Sequence, residues 1–455
     1  MGTRWSGHEQ EEHHDDGDDH DEDDHHDDVG GGDGGHGDED DADAEGDRGM
    51  NADLPKDWIT TSVRELEQVG DIELGRGKII SQKDIDADPG DYPVYSSSAK
   101  GNGEFGRYGK YMFEEELVTW SVDGGGKFFY RPKSKFSITN VSGFLRVKAK
   151  EKIDSYYAWA HLFSIWQTMT FNYTEKLHPS ILRERFSFSY PPLPEQKKIA
   201  QILSTVQRAI EEQERIIQTT TELKKALMQK LFTEGLRNEP QKQTEIGPVP
   251  ESWEVVPLGT LAKVGNGSTP KRAKETYWEG GTIPWLNSTK IHDRFITEAD
   301  QFVTPLAVKE CHLPKVATNS LLIAITGQGK TLGNSAITRI ETCINQHLAY
   351  AQFHSAKIIP DFVLWFMQTR YDYLRSIAHG GGSTKGALTC GFLKTLLIPV
   401  PSLAEQAGIA ATFQTLEDKQ MFAIRKQAIL QDLFRTLLHE LMTAKTRVDD
   451  LEIAA

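Results

Sequence analysis

Cysteine is scarce in this chain of 455 residues: Cys311, Cys343 and Cys390 stand far apart, with no CxxC pair. That excludes a compact cysteine-based zinc site and suits a reducing compartment. Long hydrophobic runs are missing as well. The apolar stretches, such as 320–325, fall far short of the roughly 20 residues a membrane helix needs. No positively charged start followed by an apolar segment marks a secretory signal. A cytoplasmic protein is expected.

Catalytic constellations are equally lacking. Gly101-Asn102-Gly103-Glu104-Phe105-Gly106 fits G-x-G-x-x-G, but a Ser-rich loop precedes it and no helix is expected after it. Gly329-Lys330-Thr331 resembles the end of a P-loop, yet Ala324 stands where the first glycine belongs. His439-Glu440 has no second histidine at metalloprotease spacing, and Tyr190-Pro191-Pro192 lacks the Asn or Asp of an amino-methyltransferase motif. No Ser-His-Asp, paired-carboxylate or metal-ligand set emerges, so the chain is expected to be non-catalytic and to bind neither metal nor cofactor.

The acidic charge is confined to one end. Residues 1–50 hold 21 Asp and Glu against Arg4 and Arg48, while the other 405 residues carry a net charge of +3. Seven of the 15 histidines also fall in this leader. Its low hydrophobicity predicts disorder over 1–49. Loose Zn²⁺ or Ni²⁺ binding and a plain solvated tail both stay open for it. So does a start at Met50, with the leader outside the functional protein.

What is abundant is internal repetition. Residues 191–233 and 401–443 align for 43 positions without a gap, with 12 identities that include Leu193-x-Glu195-Gln196 and Leu403-x-Glu405-Gln406. Leu54-Pro55-Lys56-Asp57-Trp58 likewise answers to Val249-Pro250-Glu251-Ser252-Trp253, at a shift of 195 rather than 210. A period this long is a duplicated module, not a solenoid. Each module is a mixed region long enough for its own core, followed by a long amphipathic helix. Apolar residues recur at spacings of three and four from Ile199 to Leu231 and from Ile409 to Leu441. Helices of about forty residues, roughly 60 Å, need a partner, and the short linker favours antiparallel pairing of the two. Related domains would then lie at opposite ends of a pseudo-twofold frame. If both touched DNA on one face, their half-sites would lie about one helical turn, or a multiple of it, apart.

Candidate DNA-contacting residues lie on turns and in a basic, aromatic stretch. Residues 127–150 contain Lys127, Arg131, Lys133, Lys135, Arg146, Lys148 and Lys150 without one acid, interleaved with Phe128, Phe129, Tyr130 and Phe136. Loop candidates in the first module are Ser96, Ser97, Ser98, Lys100 and Asn102. In the second they are Lys271, Arg272, Asn287, Ser288, Lys290, Thr326, Gln328, Lys330, Asn345 and Gln346. These residue types hold phosphates and read base edges, and they also occur on any surface loop.

Two variable domains, each followed by a helix that opens Leu-x-Glu-Gln, resemble the specificity subunits of type I restriction-modification systems. Pro-x-x-Trp at Pro55 and Pro250, Tyr277-Trp278-Glu279-Gly280-Gly281 and Ile283-Pro284-Trp285-Leu286 are similar elements. The resemblance spans about 54–445. Ala404 departs from it where proline is favoured, and the leader is foreign to it. It implies an α+β fold in which two long antiparallel helices form a coiled coil between two target-recognition domains. The expected segments are a leader 1–49, a first domain 50–190, a helix 191–236, a linker 237–249, a second domain 250–400, a helix 401–447 and a tail 448–455. It also implies recognition of double-stranded DNA in two half-sites and docking of two methyltransferase subunits. Those subunits use S-adenosylmethionine, and restriction subunits add ATP and Mg²⁺. The expected subunit-interface residues are Glu195, Gln196, Ile199, Leu223, Leu227, Leu231, Glu405, Gln406, Ile409, Leu433, Leu437 and Leu441. Two other readings stay open: a scaffold that assembles enzyme subunits without reading DNA, and an acidic regulator whose leader mimics DNA.

Overall fold

The computed structural model of the protein describes residues 54–97, 101–123, 125–169, 176–327, 330–380 and 386–448. The leader, Met50 and the tail beyond Val448 lie outside the described residues, as do Ser98, Lys100 and Gln328. The described residues belong to one compact unit beginning at Leu54. Among them no helix is long and apolar enough to cross a membrane.

The first module opens with β1 (Ile59–Ser62), and Ser62 starts a short helix through a capping box with Glu65. Then come β2 (Ile72–Arg76), β3 (Pro89–Tyr95), β4 (Glu104–Tyr108), β5 (Phe113–Ser121), β6 (Phe128–Ile138) and β7 (Ser142–Val147). They form one six-stranded sheet in the order β2-β7-β5-β6-β3-β4. The helix Ser155–Thr168 packs behind it, started by Asp154, whose side chain accepts from the Tyr156 and Tyr157 N–H groups. Trp120, Phe128, Leu145 and Tyr157 are central to this core. The strand β8 (Ser187–Tyr190) pairs antiparallel with β1, Ile59 opposite Tyr190. The residues 101–106 run into β4, a strand, so the glycines there open no nucleotide-binding helix.

The second module repeats this plan and departs from it in the middle. The stretch 237–249, expected as a linker, carries most of a hairpin of β9 (Gln241–Thr244) and β10 (Gly247–Pro250). Next are β11 (Glu254–Pro257), β12 (Ala262–Asn266), β13 (Ile283–Leu286), β14 (Phe295–Ile296) and β15 (Gln301–Val303). They are followed by β16 (Leu321–Ala324), β17 (Ser335–Thr338), β18 (Cys343–Ile344), β19 (Leu348–Phe353) and β20 (Leu397–Val400). The main sheet, β12-β19-β16-β17-β14, begins with the same order of first strand, last strand and central hairpin as the first module. A separate sheet, β15-β13-β18, is new. The strands β11 and β20 pair with Glu254 opposite Val400, which repeats the β1–β8 register at both sequence shifts, 195 and 210.

The long helices Leu193–Glu234 and Leu403–Met442 lie against each other. Arg447 meets Glu195, Leu236 meets Glu405, Lys224 meets Glu417 and Gln420 meets Thr221. In each pair the residue numbers add to 641 or 642, so the helices are antiparallel and hold one register. Applying the 210-residue repeat to that pairing returns the same pairing. The pseudo-twofold axis therefore passes beside Arg215 and Arg425, themselves an identical pair in the repeat. Each domain core is completed by the first half of one helix and the second half of the other. Ile199, Leu203, Phe434, Leu438 and Leu441 join the first core, and Leu231, Phe232, Ile409 and Phe413 the second.

A buried glutamine locks each helix to its own domain. The Gln196 side chain donates to the carbonyls of Lys152 and Pro191, both at 2.8 Å, and accepts from the Asp154 N–H at 2.9 Å. Gln406 donates to the carbonyls of Lys357 and Pro401 at 2.8 Å and accepts from the Ile359 N–H at 2.7 Å. The glutamates beside them close the two ends. Glu405 accepts from the Leu236 N–H at 2.8 Å and from the Trp253 indole at 3.2 Å. Gly235 makes that approach possible: its φ is +67°, and a Cβ there would stand 2.6 Å from Glu405 Oε1. At the other end Glu195 and Asp57 both bind Arg447, at 2.7 and 2.8 Å. An ion-pair clasp there stands where the chain itself connects the second module's end.

Candidate nucleic-acid interface

In the first module, β6 builds a basic and aromatic face. Strand alternation puts Phe129 and Arg131 on one side with Phe128 in the core on the other, and a bulge between Arg131 and Ser134 then shifts the alternation, so that Phe136 shares the Arg131 side and Lys135 does not. Lys127 lies over the Phe129 ring at 5.1 Å, and Lys135 over Tyr111 at 4.8 Å. The Arg131 guanidinium sits 3.6 Å from the Tyr95 ring centroid and 4.6 Å from that of Phe129, while its Nε donates to Thr119 Oγ1 at 3.0 Å. Arg131 is only 5% exposed, and burial pulls its pKa down to about 10. It braces the aromatic rings, and of the other cations along this stretch Lys133 is exposed and Lys127 half-buried.

The other half of the basic stretch is neutralised across strands. Arg146 binds Glu115 at 2.8 Å and Glu73 at 2.9 Å, Lys148 binds Glu73 at 2.9 Å, and Lys150 binds Glu116 at 2.8 Å. The acids come from β2 and β5, far off in sequence, so the local composition concealed them. Ser96 lies beside the same face, its hydroxyl 3.0 Å from that of Thr139, and the Ser97 carbonyl accepts from Ser121 at 2.8 Å. Asn102 caps its own turn by accepting from the Glu104 N–H at 2.9 Å.

In the second module three loops converge. The Thr269 hydroxyl bonds Gln346, Gln346 lies 3.2 Å from His347, and His347 bonds Thr326. Lys271 and Arg272 are exposed on the first of these loops, and Lys330 is exposed beyond the loop that holds Thr326. The Arg272 guanidinium lies 3.8 Å from the Trp278 ring centroid, and its Nη2 donates to Gln301 at 2.7 Å. Other candidates serve the fold. Asn287 caps the short turn Ser288–His292, which contains Ser288, by accepting from the Thr289 N–H. Lys290 is ion-paired with Asp293 and Asp300 at 2.9 and 3.3 Å. Asn345 is buried, its side chain accepting from the His347 N–H at 3.1 Å.

Tyr95, Thr119, Thr269, Trp278, Trp285, Gln301 and His347, none of them among the expected DNA-contacting residues, also form parts of these surfaces. Gln301 has no local signal: it arrives because it pairs with Trp285 across β15 and β13. Of the expected subunit-interface residues, most are occupied within the chain. Gln196, Ile199, Leu231, Glu405, Gln406, Ile409 and Leu441 are buried, Glu195 binds Arg447, and Leu227 and Leu437 pack on the two cores. The helical spacing that marked them is the spacing of an intrachain seam. Leu223 and Leu433, equivalent under the repeat, remain exposed at 46% and 44%.

A family profile described as the type I restriction modification DNA specificity domain matches the chain twice, over residues 55–220 and 250–433. A Methanocaldococcus jannaschii protein assigned as the specificity subunit of the type I restriction enzyme MjaX is 26% identical over 427 residues, covering 87% of this chain and 95% of that one. The MjaVIII specificity subunit of the same organism is 23% identical over 424 residues, covering 88% and 95%. The crystal structure of a type I restriction-modification S subunit from M. genitalium superposes with a TM-score of 0.60 at 17% identity, over 84% of this chain and 96% of that one, a likeness of fold.

Proposed function

The chain belongs to the type I restriction-modification DNA specificity family, and on that premise we propose that it reads a bipartite DNA target and positions the subunits that act there. The observation that carries this reading is the helix register. Two unlike polar surfaces are mounted on one rigid antiparallel pair, so a duplex contacting both meets two different readers at a fixed separation. In this reading 50–190 and 250–400 are the recognition domains. Lys127, Lys133, Lys271 and Lys330 neutralise phosphates, and Thr326, Gln346 and Arg272 face the bases. Each mismatched base pair then costs about 1–3 kcal/mol, while the fixed frame rejects half-sites at the wrong spacing.

The chemistry belongs to partners. Two methyltransferase subunits with S-adenosylmethionine would dock on the helices, where Leu223 and Leu433 offer equivalent exposed positions. Restriction subunits would bring ATP and Mg²⁺, all in the cytoplasm. Co-expression with the methyltransferase subunits in a host free of adenine methylation, followed by sequencing of modified bases, tests the reading. One asymmetric motif of two defined parts around a constant unspecified spacer is expected. A complex that binds DNA without sequence preference and methylates no two-part motif would favour a scaffold instead.

A further inference from the structure

We propose that Arg272 is a specificity-determining residue of the second domain, held as a planar fork by Trp278, Trp285 and Gln301, and that it selects a guanine in the half-site this domain reads. The inference rests on the DNA-recognition reading above and adds to it a residue, a base and a mechanism.

The loop carrying Arg272 is fixed from beneath. The Trp278 indole N–H donates to the Lys271 carbonyl at 3.3 Å, and the Trp285 indole N–H to the Ser268 carbonyl at 3.2 Å. The two rings meet edge to face, 5.2 Å apart at 88°. The Arg272 side chain lies in the corner they form, its guanidinium carbon 3.8 Å from one ring centroid and 4.9 Å from the other. Stacking of this kind covers a face of the guanidinium and leaves its N–H edge directed outward. Gln301, opposite Trp285 in the strand register, takes one Nη2 proton at 2.7 Å and fixes the rotation of the plane.

The charge is also left available. Nearby Lys274 is paired with Glu310 at 2.7 Å, and Lys290 with Asp293 and Asp300. Among the described residues no carboxylate forms an ion pair with Arg272, and the residue is exposed. A phosphate contact needs a positive charge within reach, which a mobile lysine supplies. A fixed, planar, outward edge instead suits two acceptors side by side, and guanine presents that pair, O6 and N7, in the major groove. Arg131 makes the contrast. It too lies against two rings, but it is buried and its Nε is engaged by Thr119, so it supports the surface from within.

The test uses the complete complex with its methyltransferase subunits and reads the methylated motif in a methylation-free host. Arg272→Met keeps the stem on Trp278 and removes the donors. One guanine position in one half-site is expected to become degenerate, with about 5- to 150-fold lower discrimination there, while the other half-site stays intact as an internal control. An unchanged motif overturns the proposal. So does uniform weakening across sequences with a shallower salt dependence, the mark of a phosphate contact. If Arg272→Met abolishes methylation altogether, Gln301→Ala decides, because it leaves the arginine and both tryptophans in place. Partial relaxation at a single guanine supports the proposal, and no change overturns it. A wild-type complex that methylates no two-part motif overturns the DNA-recognition reading, and this inference with it.

Discussion

At the scale of single residues, the same side chain performs the same work twice. Gln196 and Gln406 are fully buried and each satisfies two carbonyls and one N–H of its own domain. Glutamine suits this place because its amide donates twice and accepts once without charge. Gln406→Glu, nearly isosteric, sets a carboxylate oxygen against two carbonyl oxygens. Unsatisfied buried groups cost about 1–3 kcal/mol each, so a loss on that order or more is expected in urea unfolding at pH 7. Acid partly restores it, because a protonated carboxyl donates one of the missing bonds. The repeat made this glutamine visible in the sequence, but not its partners. Helical spacing marks a position as facing something, without saying whether that is another subunit or the residue's own domain. For the same reason the basic stretch 127–150 was legible as composition while its neutralisation by Glu73, Glu115 and Glu116 was not, since strand pairing decides which charges meet.

At the scale of elements, the two ends of the helix pair are built alike and seated differently. Phe434 of the second helix packs against Trp159, with ring centroids 6.2 Å apart. Its repeat equivalent on the first helix, Lys224, faces Trp365 at 4.9 Å and pairs with Glu417, which also binds Arg294 at 2.8 Å. Burial alone would raise the Glu417 pKa, but the Lys224 hydrogen bond and the Arg294 charge hold it below the ordinary 4.5. Glu417→Gln leaves two cations facing each other in a half-buried site, with an expected loss of about 3–5 kcal/mol at pH 7. Lys224→Met should cost less, because Arg294 still neutralises Glu417. A depressed carboxyl stabilises the fold above its unfolded pKa and ceases to as pH falls through its folded pKa. The stability gap between wild type and Glu417→Gln is therefore expected to be constant above about pH 4.5 and to narrow below it. Chemical denaturation at several pH values measures this directly. The two helices themselves were legible from periodicity, their pairing from their length and their direction from the short linker between the modules. This asymmetric seating was not, because Arg294 and Trp365 come from parts of the second module where the repeat has no readable echo.

At the scale of the whole molecule, the frame is symmetric and the readers are not. The β1–β8 and β11–β20 pairings, the glutamine locks and the helix register all obey the repeat. What differs lies between them: a β3-β4 hairpin on one sheet, a separate β15-β13-β18 sheet in the other domain. Two-fold symmetry in a protein is mirrored as palindromy in the DNA it binds. If the first reader were installed at both ends, the molecule would present identical surfaces related by the axis near Arg215 and Arg425. Its methylated target is then expected to be an inverted repeat of one wild-type half-site, with the wild-type spacer. The graft needs Lys224→Phe and Glu417→Gln as well, since the first reader is seated through Trp159 on an aromatic ring rather than through Trp365 on an ion pair, and Glu417, whose repeat equivalent is Gln207, would lose both of its cations. Motif sequencing of such a chimaera, assembled with unmodified methyltransferase subunits, measures both parts of the claim at once. A palindrome with an altered spacer would mean that the domains, and not the helices, set the distance. An asymmetric motif would mean that the two ends of the frame contribute to reading the bases, despite their matched register.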